Sequence, residues 1–173
     1  LTSIQGHFRV HHHLSMTQQS QQNVRVGIGV LVRDPSRHKN VYCGIRLGSH
    51  GAGSLALPGG HLEMMESWED CAKREVWEEM NVEIVNLKFA HVSNNIMYEE
   101  SRHYITIFMT GEMADTNQHP VNREPEKCQG WESISWDDLL GIRQCGTPTL
   151  FGPLRQLLDD NPATVYEFLN AET

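Results

Sequence analysis

The chain has 173 residues, a length typical of one domain, and 39% of them are hydrophobic, which is enough for one core. Its 22 acidic and 14 basic residues give a formal net charge of −8, which excludes a global attraction to duplex DNA or to an anionic membrane surface. No apolar run approaches the roughly 18 residues of a membrane span, and no apolar core of a signal peptide is evident, so we expect a cytoplasmic protein.

The four cysteines, Cys43, Cys71, Cys128 and Cys145, are widely spaced and form no C-x-x-C pair. Disulfide scaffolds are denser in cysteine, and structural zinc sites use closer spacing. We therefore expect four free thiols, with a single disulfide as the alternative.

Residues 1–23 contain five glutamines, four histidines and no acid, a composition typical of a disordered leader. The run His11-His12-His13 could bind a metal weakly, but an unstructured leader or an expression remnant explains it more simply. We expect the folded domain over residues 24–160 and a C-terminal tail over residues 161–173.

Strand patterns dominate the first part of that domain. Gly27 and Gly29 lie within a β-branched run and indicate places where the backbone approaches a neighbour closely. A glycine-rich loop and a Pro-Gly-Gly turn follow the second and third strand segments. The predicted strands are residues 25–32, 41–46 and 55–57, with a turn at residues 34–36 and a loop at residues 48–54.

A helix is predicted to begin after Ser67, which lies three residues before Asp70 in a variant of the capping box. Its apolar positions recur every four residues and predict one buried stripe. That stripe is Trp68, Ala72, Val76 and Met80. Asn81 occupies the position after the helix, where a left-handed conformation is expected.

The remaining segments alternate in type. Strands are predicted at residues 82–93, 103–113 and 130–135, with a turn at residues 94–101. Ser135-x-x-Asp138 indicates a short helix, and residues 153–158 indicate a last one. Strands, helix, strands and helices in this order predict a mixed α/β layered domain.

The most informative spacing begins at Gly60, with five residues before Glu66 and seven more before Arg74-Glu75, followed by Glu78-Glu79. On a helix, Glu75, Glu78 and Glu79 share one face. Such crowded carboxylates repel each other unless a cation neutralises them, and oxygen ligands suit Mg²⁺ or Mn²⁺. A solvated acidic helix face is the simpler alternative.

This stretch resembles the signature of the Nudix hydrolases, G-x5-E-x7-R-E-U-x-E-E-x-G-U, where U is aliphatic. Only the final glycine differs, since Asn81 replaces it. The resemblance implies the Nudix fold, an α/β/α sandwich with a mixed central sheet. It also implies that Glu75 and Glu79 are the principal metal ligands, that Gly59 adds a backbone carbonyl, and that Arg74 orients the cluster. Glu78 is either a third ligand or the catalytic base.

Further stretches resemble the MutT-like nucleoside triphosphate diphosphatases of eukaryotes. The matching segments are residues 48–54, 57–63, 103–107, 124–128 and 130–131. This branch usually has phenylalanine and glycine where this chain has Met64-Met65, which bears on local packing more than on chemistry. The branch implies Mg²⁺-dependent release of pyrophosphate from a nucleoside triphosphate, clearance of unwanted nucleotides, and a homodimer.

The branch also implies substrate contacts. Arg46 is expected to contact phosphate, and Leu57, Gly60, Phe151 and Leu154 are expected to bind the nucleotide. A surface arginine and ordinary core residues are the alternatives. Glu124 or Glu126 could add a carboxylate, and His61 could orient the site or make a structural hydrogen bond. We expect the four tryptophans, Trp68, Trp77, Trp131 and Trp136, in the core.

Three other functions compete with this one. The signature recognises a diphosphate rather than its substituent, so ADP-ribose, nucleotide sugars and isoprenyl diphosphates are alternative substrates, and capped RNA is disfavoured by the acidic charge. A catalytically silent nucleotide-binding module is the second alternative. An acidic helix that docks a basic protein is the third.

Overall fold

The computed structural model describes residues 23–48 and 50–171. The predictions for residues 1–22, including the histidine run, therefore lie outside the described residues. The described elements are β1 (Arg25–Asp34), β2 (Arg37–Ile45), β3 (Leu55–Ala56), α1 (Trp68–Met80), β4 (Ile84–Met97), β5 (Arg102–Met113), β6 (Glu132–Ser135), α2 (Trp136–Cys145), α3 (Gly152–Asp160) and α4 (Ala163–Asn170).

The strands form one mixed sheet in the order β3-β2-β1-β5-β4, with β6 paired to β2. The central strands β1 and β5 are parallel, whereas the other pairs are antiparallel. Most of β1 is buried, which explains its nearly continuous apolar run. The predicted mixed sheet is confirmed.

Two apolar cores flank this sheet. On one side, alternate residues of β1 such as Ile28 and Val30 pack with Ala72 and Val76 of α1. On the other side, residues such as Leu31 and Phe108 pack with α2, α3 and α4. The α/β/α layering expected from the sequence is therefore present, and α1 is the only helix on its face within the part of the chain that the structure describes.

Helix α1 has the predicted ends. The backbone N–H of Asp70 donates to the hydroxyl of Ser67 at 3.1 Å, and Asn81 is left-handed with a φ of 56°. The buried stripe was wrong at Trp68, which is 42% exposed, whereas Cys71 is buried. The indole lies in the first helical turn beside Phe89 of edge strand β4, where little structure covers it.

The tryptophans differ in burial. Only Trp136 of the four is a core residue, at 2% exposure, and Trp131 packs against the α1-side core while partly buried. Trp77, like Trp68, was wrongly placed in the core, because it lies on the outer side of α1 under the guanidinium of Arg123.

The second half of the chain is more ordered than its pattern suggested. Strands β4 and β5 form a longer hairpin than predicted, so that Asn94, Asn95, Ile96 and Met97 belong to β4 rather than to the turn. Helix α3 is not the last helix, because α4 lies within the expected tail and buries Val165 and Leu169.

Arg33 of β1 holds the end of α4. Its Nη1 donates to the carbonyl oxygens of Phe168 at 2.9 Å and Ala171 at 3.0 Å, while its Nη2 pairs with Glu112 of β5. The guanidinium also lies 4.8 Å from the centre of the Phe168 ring. A buried charge on the central strand thus fixes α4 to the sheet.

All four cysteines are free thiols, as expected from their spacing. Cys145 is exposed, and the other three are buried. None of the helices within the described ranges combines the length and the apolar character needed to cross a membrane.

Candidate active site

Two consecutive glycines press the segment before α1 against β1. Gly59 has a φ of +142°, and a Cβ at this position would lie 2.0 Å from the carbonyl oxygen of Ile28, so a side chain is excluded. The backbone N–H of Ile28 donates to the carbonyl oxygen of Gly60 at 2.8 Å. A Cβ on Gly60 would lie 2.2 Å from Oε1 of Glu75. The second glycine therefore leaves room for this carboxylate.

Arg74 connects three carboxylates of the signature. Its Nε and Nη2 donate to the two oxygens of Glu66 at 2.8 and 2.9 Å, a bidentate pair. Its Nη1 donates to Glu75 at 2.7 Å and lies 3.5 Å from an oxygen of Glu78. Its Nη2 also donates to the carbonyl oxygen of His61 at 3.1 Å. Arg74 thus joins the glycine turn to α1.

The signature carboxylates differ in electrostatics. Hydrogen bonds from Arg74 hold the pKa of Glu66 down at about 2. Burial raises the pKa of Glu79 to about 8, although the backbone N–H of Gly59 donates to it at 2.9 Å. Burial also raises the pKa of Glu75, against the effect of Arg74. Additional positive charge beside Glu75 and Glu79 would therefore favour their ionised forms.

The acidic cavity, lined by Glu75, Glu78, Glu79 and Glu124 and by the glycine turn, has a volume of about 540 Å³. Among the described residues, no three His, Cys, Asp or Glu side chains are gathered closely enough to enclose a metal ion. Mg²⁺ usually binds through one or two carboxylates together with water and substrate phosphates. Carboxylate oxygens with raised pKa values that line this cavity fit Mg²⁺ or Mn²⁺ in that mode.

A smaller cavity of about 100 Å³, the aromatic pocket, adjoins the acidic cavity. Its lining residues include Arg46, His50, Leu57, Gly60, His61, Tyr104, Thr106, Phe108, Phe151 and Leu154. All five substrate-contact candidates from the sequence therefore meet in one place. Leu57 and Leu154 also belong to the core on this side of the sheet, which agrees with the alternative of ordinary core residues, and their binding role stays a prediction.

Arg46 lies where the two cavities meet and lines both of them. Its guanidinium carbon is 4.4 Å from the centre of the Phe151 ring, and its Nε donates to the carbonyl oxygen of His50 at 3.0 Å. Packing against an aromatic ring fixes this cation at the junction, where an anionic group could bind.

The two acids before Trp131 are placed differently. Glu124 lines the acidic cavity, and Nζ of Lys127 donates to it at 2.7 Å. Glu126 is not among the lining residues. His61 makes a hydrogen bond with the hydroxyl of Tyr104 at 3.0 Å, which corresponds to its expected structural role.

Sequence reasoning did not single out His50, Tyr104 or Thr106 as pocket residues, although all three lay in segments that carried the resemblance. One signal was available, since Tyr104, Thr106 and Phe108 alternate on β5 and therefore share a face. The bulky His50 within an otherwise small-residue loop was a second signal.

Comparison with known proteins agrees with this geometry. The NUDIX domain family matches residues 23–155. The fold is similar to the MutT NUDIX hydrolase from Burkholderia pseudomallei, with a TM-score of 0.67, 22% identity, and coverage of 79% of this chain and 97% of that chain. For the MutT protein from Methanosarcina mazei Go1, the TM-score is 0.64 at 20% identity, with 82% and 96% covered.

A third similar structure is the NUDIX domain of Shewanella oneidensis NrtR, complexed with ADP ribose. Its TM-score is 0.63 at 16% identity, with 80% of this chain and 86% of that chain covered. Identities this low establish a shared fold and leave the substrate open. The domain match and the intact signature carboxylates together show that the chain belongs to the NUDIX family of pyrophosphohydrolases.

Proposed function

We propose that this Nudix enzyme hydrolyses nucleoside triphosphates to the monophosphate and pyrophosphate, as in the MutT-like eukaryotic branch that its sequence resembles. The observation that carries the proposal is the contact between the acidic cavity and the aromatic pocket, which share Arg46 and Gly60. An apolar, aromatic wall suits a nucleobase, and carboxylates with a cation suit phosphates. A nucleotide has both parts and could span the two cavities.

The side chains have distinct parts in this proposal. Glu75 and Glu79 would hold the cation with the carbonyl of Gly59, and Arg74 fixes the direction of the Glu75 carboxylate. A bound divalent cation would supply charge that neutralises phosphate oxygens and lowers the pKa of water. Glu78 is a third ligand or accepts the proton of the attacking water, and Arg46 contacts a phosphate. The water oxygen joins phosphorus as the bond between the α- and β-phosphates breaks.

The proposed biological setting is clearance of unwanted nucleotides by a cytoplasmic homodimer, which the sequence resemblance supports. An exposed apolar strip at the edge of the sheet and the start of α1 supports the proposed homodimer. It consists of Trp68 of α1 and of Phe89, Val92 and Ile96 of β4, each more than two-fifths exposed. Patches of this kind commonly mark protein interfaces.

The proposal is tested by measuring products over a substrate panel with Mg²⁺. The panel contains the common nucleoside triphosphates, several nucleotide sugars, ADP-ribose and an isoprenyl diphosphate. Pyrophosphatase and phosphatase are added in separate wells, so that released pyrophosphate is distinguished from a released monophosphate. We expect pyrophosphate from at least one triphosphate, with kcat/KM at least tenfold above that of any conjugate.

Other outcomes change the proposal in defined ways. Turnover of nucleotide conjugates alone would support the hydrolytic mechanism but would change the assigned substrate. The ADP ribose complex of the NrtR domain makes this alternative worth testing. Thermal stabilisation by nucleotides without any product would indicate a binding module that has lost turnover. Binding of a basic protein that ignores Mg²⁺ and weakens with salt would indicate the docking role.

A further inference from the structure

His50 enters the wall of the aromatic pocket from the loop between β2 and β3. Its ring stacks on Tyr104 with centroids 5.8 Å apart and planes 17° apart, and it meets the edge of Phe151 at 5.1 Å and 82°. The side chain is 13% exposed. Two aromatic neighbours therefore fix the plane and the direction of the imidazole.

The two ring nitrogens of His50 have different surroundings. Nδ1 is hydrogen-bonded to the carboxylate of Glu100, in the turn between β4 and β5. An ionised carboxylate only accepts, so Nδ1 carries the hydrogen and donates it. Nε2 is buried and has no hydrogen-bond partner among the described residues. Buried polar atoms are nearly always paired, so Nε2 is an unsatisfied polar atom of a residue that lines the aromatic pocket.

In the neutral form of His50, the unpaired Nε2 is a hydrogen-bond acceptor. Burial lowers the pKa of His50, and the guanidinium groups of Arg102 and Arg46 act in the same direction, whereas Glu100 opposes them. A neutral imidazole with its hydrogen on Nδ1 has a free lone pair on Nε2.

Neighbouring polar groups of the pocket are already paired. The Tyr104 hydroxyl is bonded to His61 at 3.0 Å, and the Thr106 hydroxyl donates to Asn95 at 2.7 Å. Both hydroxyls therefore already have a partner within the protein, whereas Nε2 of His50 has none among the described residues.

We propose that His50 is a specificity-determining residue, whose Nε2 accepts a hydrogen bond from an amino or ring N–H group of the nucleobase. This inference rests on the proposed nucleotide function. An unpaired buried acceptor costs free energy, so a base that supplies the donor is preferred over one that does not, by roughly tenfold to a hundredfold in kcat/KM. The preference falls mainly on KM, because the base lies away from the reacting phosphates.

The test compares nucleotides that differ by one donor. Guanosine triphosphate is compared with inosine triphosphate and its N1-methyl derivative, and adenosine triphosphate is compared with purine riboside triphosphate. Each is assayed with the wild type, His50→Leu, His50→Gln and the control His38→Leu, which changes an exposed histidine outside the pocket. Binding of the corresponding monophosphates, measured without metal by thermal shift, is the second readout.

We expect the wild type to lose at least tenfold in kcat/KM when one of these donors is removed. In His50→Leu, kcat/KM should be the same for the parent nucleotide and its analogue. In His50→Gln, the side-chain carbonyl oxygen can accept the hydrogen bond and should restore part of the difference. The control His38→Leu should show the same difference as the wild type. Equal treatment of every parent and analogue by the wild type would overturn the inference. An equal decrease in kcat/KM for all nucleotides in His50→Leu would also overturn the inference, because it would indicate a structural role for His50.

The nucleotide function and the inference fail in distinguishable ways. Wild-type turnover of triphosphates without donor preference contradicts only the role of His50. Absence of both triphosphate turnover and monophosphate binding contradicts the nucleotide function itself, and the inference with it.

Discussion

Among single residues, Glu79 is half-buried and lines the acidic cavity. We expect Glu79→Gln to lower kcat by at least about 10²-fold with little change in the melting temperature, because the amide removes a charged ligand and preserves the shape. Steady-state kinetics and thermal unfolding measure the two effects. Glu83→Gln, an exposed change three residues after the helix, is the control. A near-normal rate in Glu79→Gln would contradict the assigned metal role.

Substitution by alanine should have different effects on stability and activity at Gly59 and at Gly60. At Gly59 a Cβ meets the backbone of Ile28 and the φ is positive, so we expect Gly59→Ala to destabilise the fold by about 1–3 kcal/mol. At Gly60 the three atoms nearest to the Cβ all belong to the end of the Glu75 side chain, which can swing away. Gly60→Ala should therefore leave the free energy of unfolding nearly unchanged and lower kcat about tenfold or more, because it displaces that carboxylate.

Urea unfolding and kinetics on both variants check this contrast. Equal destabilisation of the two, or full activity in Gly60→Ala, would contradict the proposed need for space beside Glu75.

At the scale of elements, the ion pair that joins Glu66, in the loop before α1, to Arg74 of α1 depends on pH. The pKa of Glu66 lies at about 2 in the fold, below its ordinary 4.5. The pair with Arg74 therefore stabilises the fold above pH 4.5, and this contribution is lost as the pH falls from 4.5 towards 2. We expect the free energy of unfolding of the wild type to decrease more steeply over this range than that of Glu66→Gln.

Urea unfolding at intervals between pH 5 and pH 2.5 makes this comparison. Glu63→Gln removes an exposed carboxylate from the same loop and is the matched control. Parallel curves for the wild type and Glu66→Gln would show that the pair contributes no pH-dependent stability.

Local features of the elements were predictable, because their causes are local. Ser67 and Asn81 act within one helical turn, and the spacing of Glu75, Glu78 and Glu79 fixes a shared face wherever the helix lies. Trp68 was misplaced because periodicity gives the direction of a side chain without showing where the covering sheet ends. Helix α4 had a local signal, Pro162 followed by apolar residues four apart at Val165 and Leu169, which was not used.

The aromatic pocket could not be assembled from the sequence in the same way. His50, Glu100 and Phe151 are separated by about fifty residues each, and only the pairing of strands and the position of α3 bring them together. The motif predicted the carboxylates because they lie on one helix. The wall of the aromatic pocket is built from β1, β5, the β2–β3 loop and α3, whose relative placement is a property of the fold.

For the whole molecule, the apolar strip predicts self-association. Phe89 and Val92 pair with Met109 and Ile107, so they lie on the α1 side of β4, at the edge of the sheet. No described strand pairs with the outer edge of β4. We expect a homodimer by sedimentation or light scattering, and a monomer for Phe89→Glu, because a charge in an apolar interface is costly.

Tyr98→Glu, which changes an exposed ring in the β4–β5 turn outside the strip, should remain dimeric. A monomeric wild type, or an unchanged dimer in Phe89→Glu with retained folding, would show that the strip is not the interface.

The raised pKa of Glu79 has a thermodynamic consequence for the filling of the site. At pH 7 this carboxyl holds a hydrogen ion in most molecules, because its pKa is about 8. A cation that binds there must expel that hydrogen ion into the buffer. The heat of Mg²⁺ titration should therefore vary with the ionisation enthalpy of the buffer, with up to about one hydrogen ion released per site, and Glu79→Gln should abolish the dependence. The enzyme would then take up its metal more readily in alkaline than in acidic surroundings.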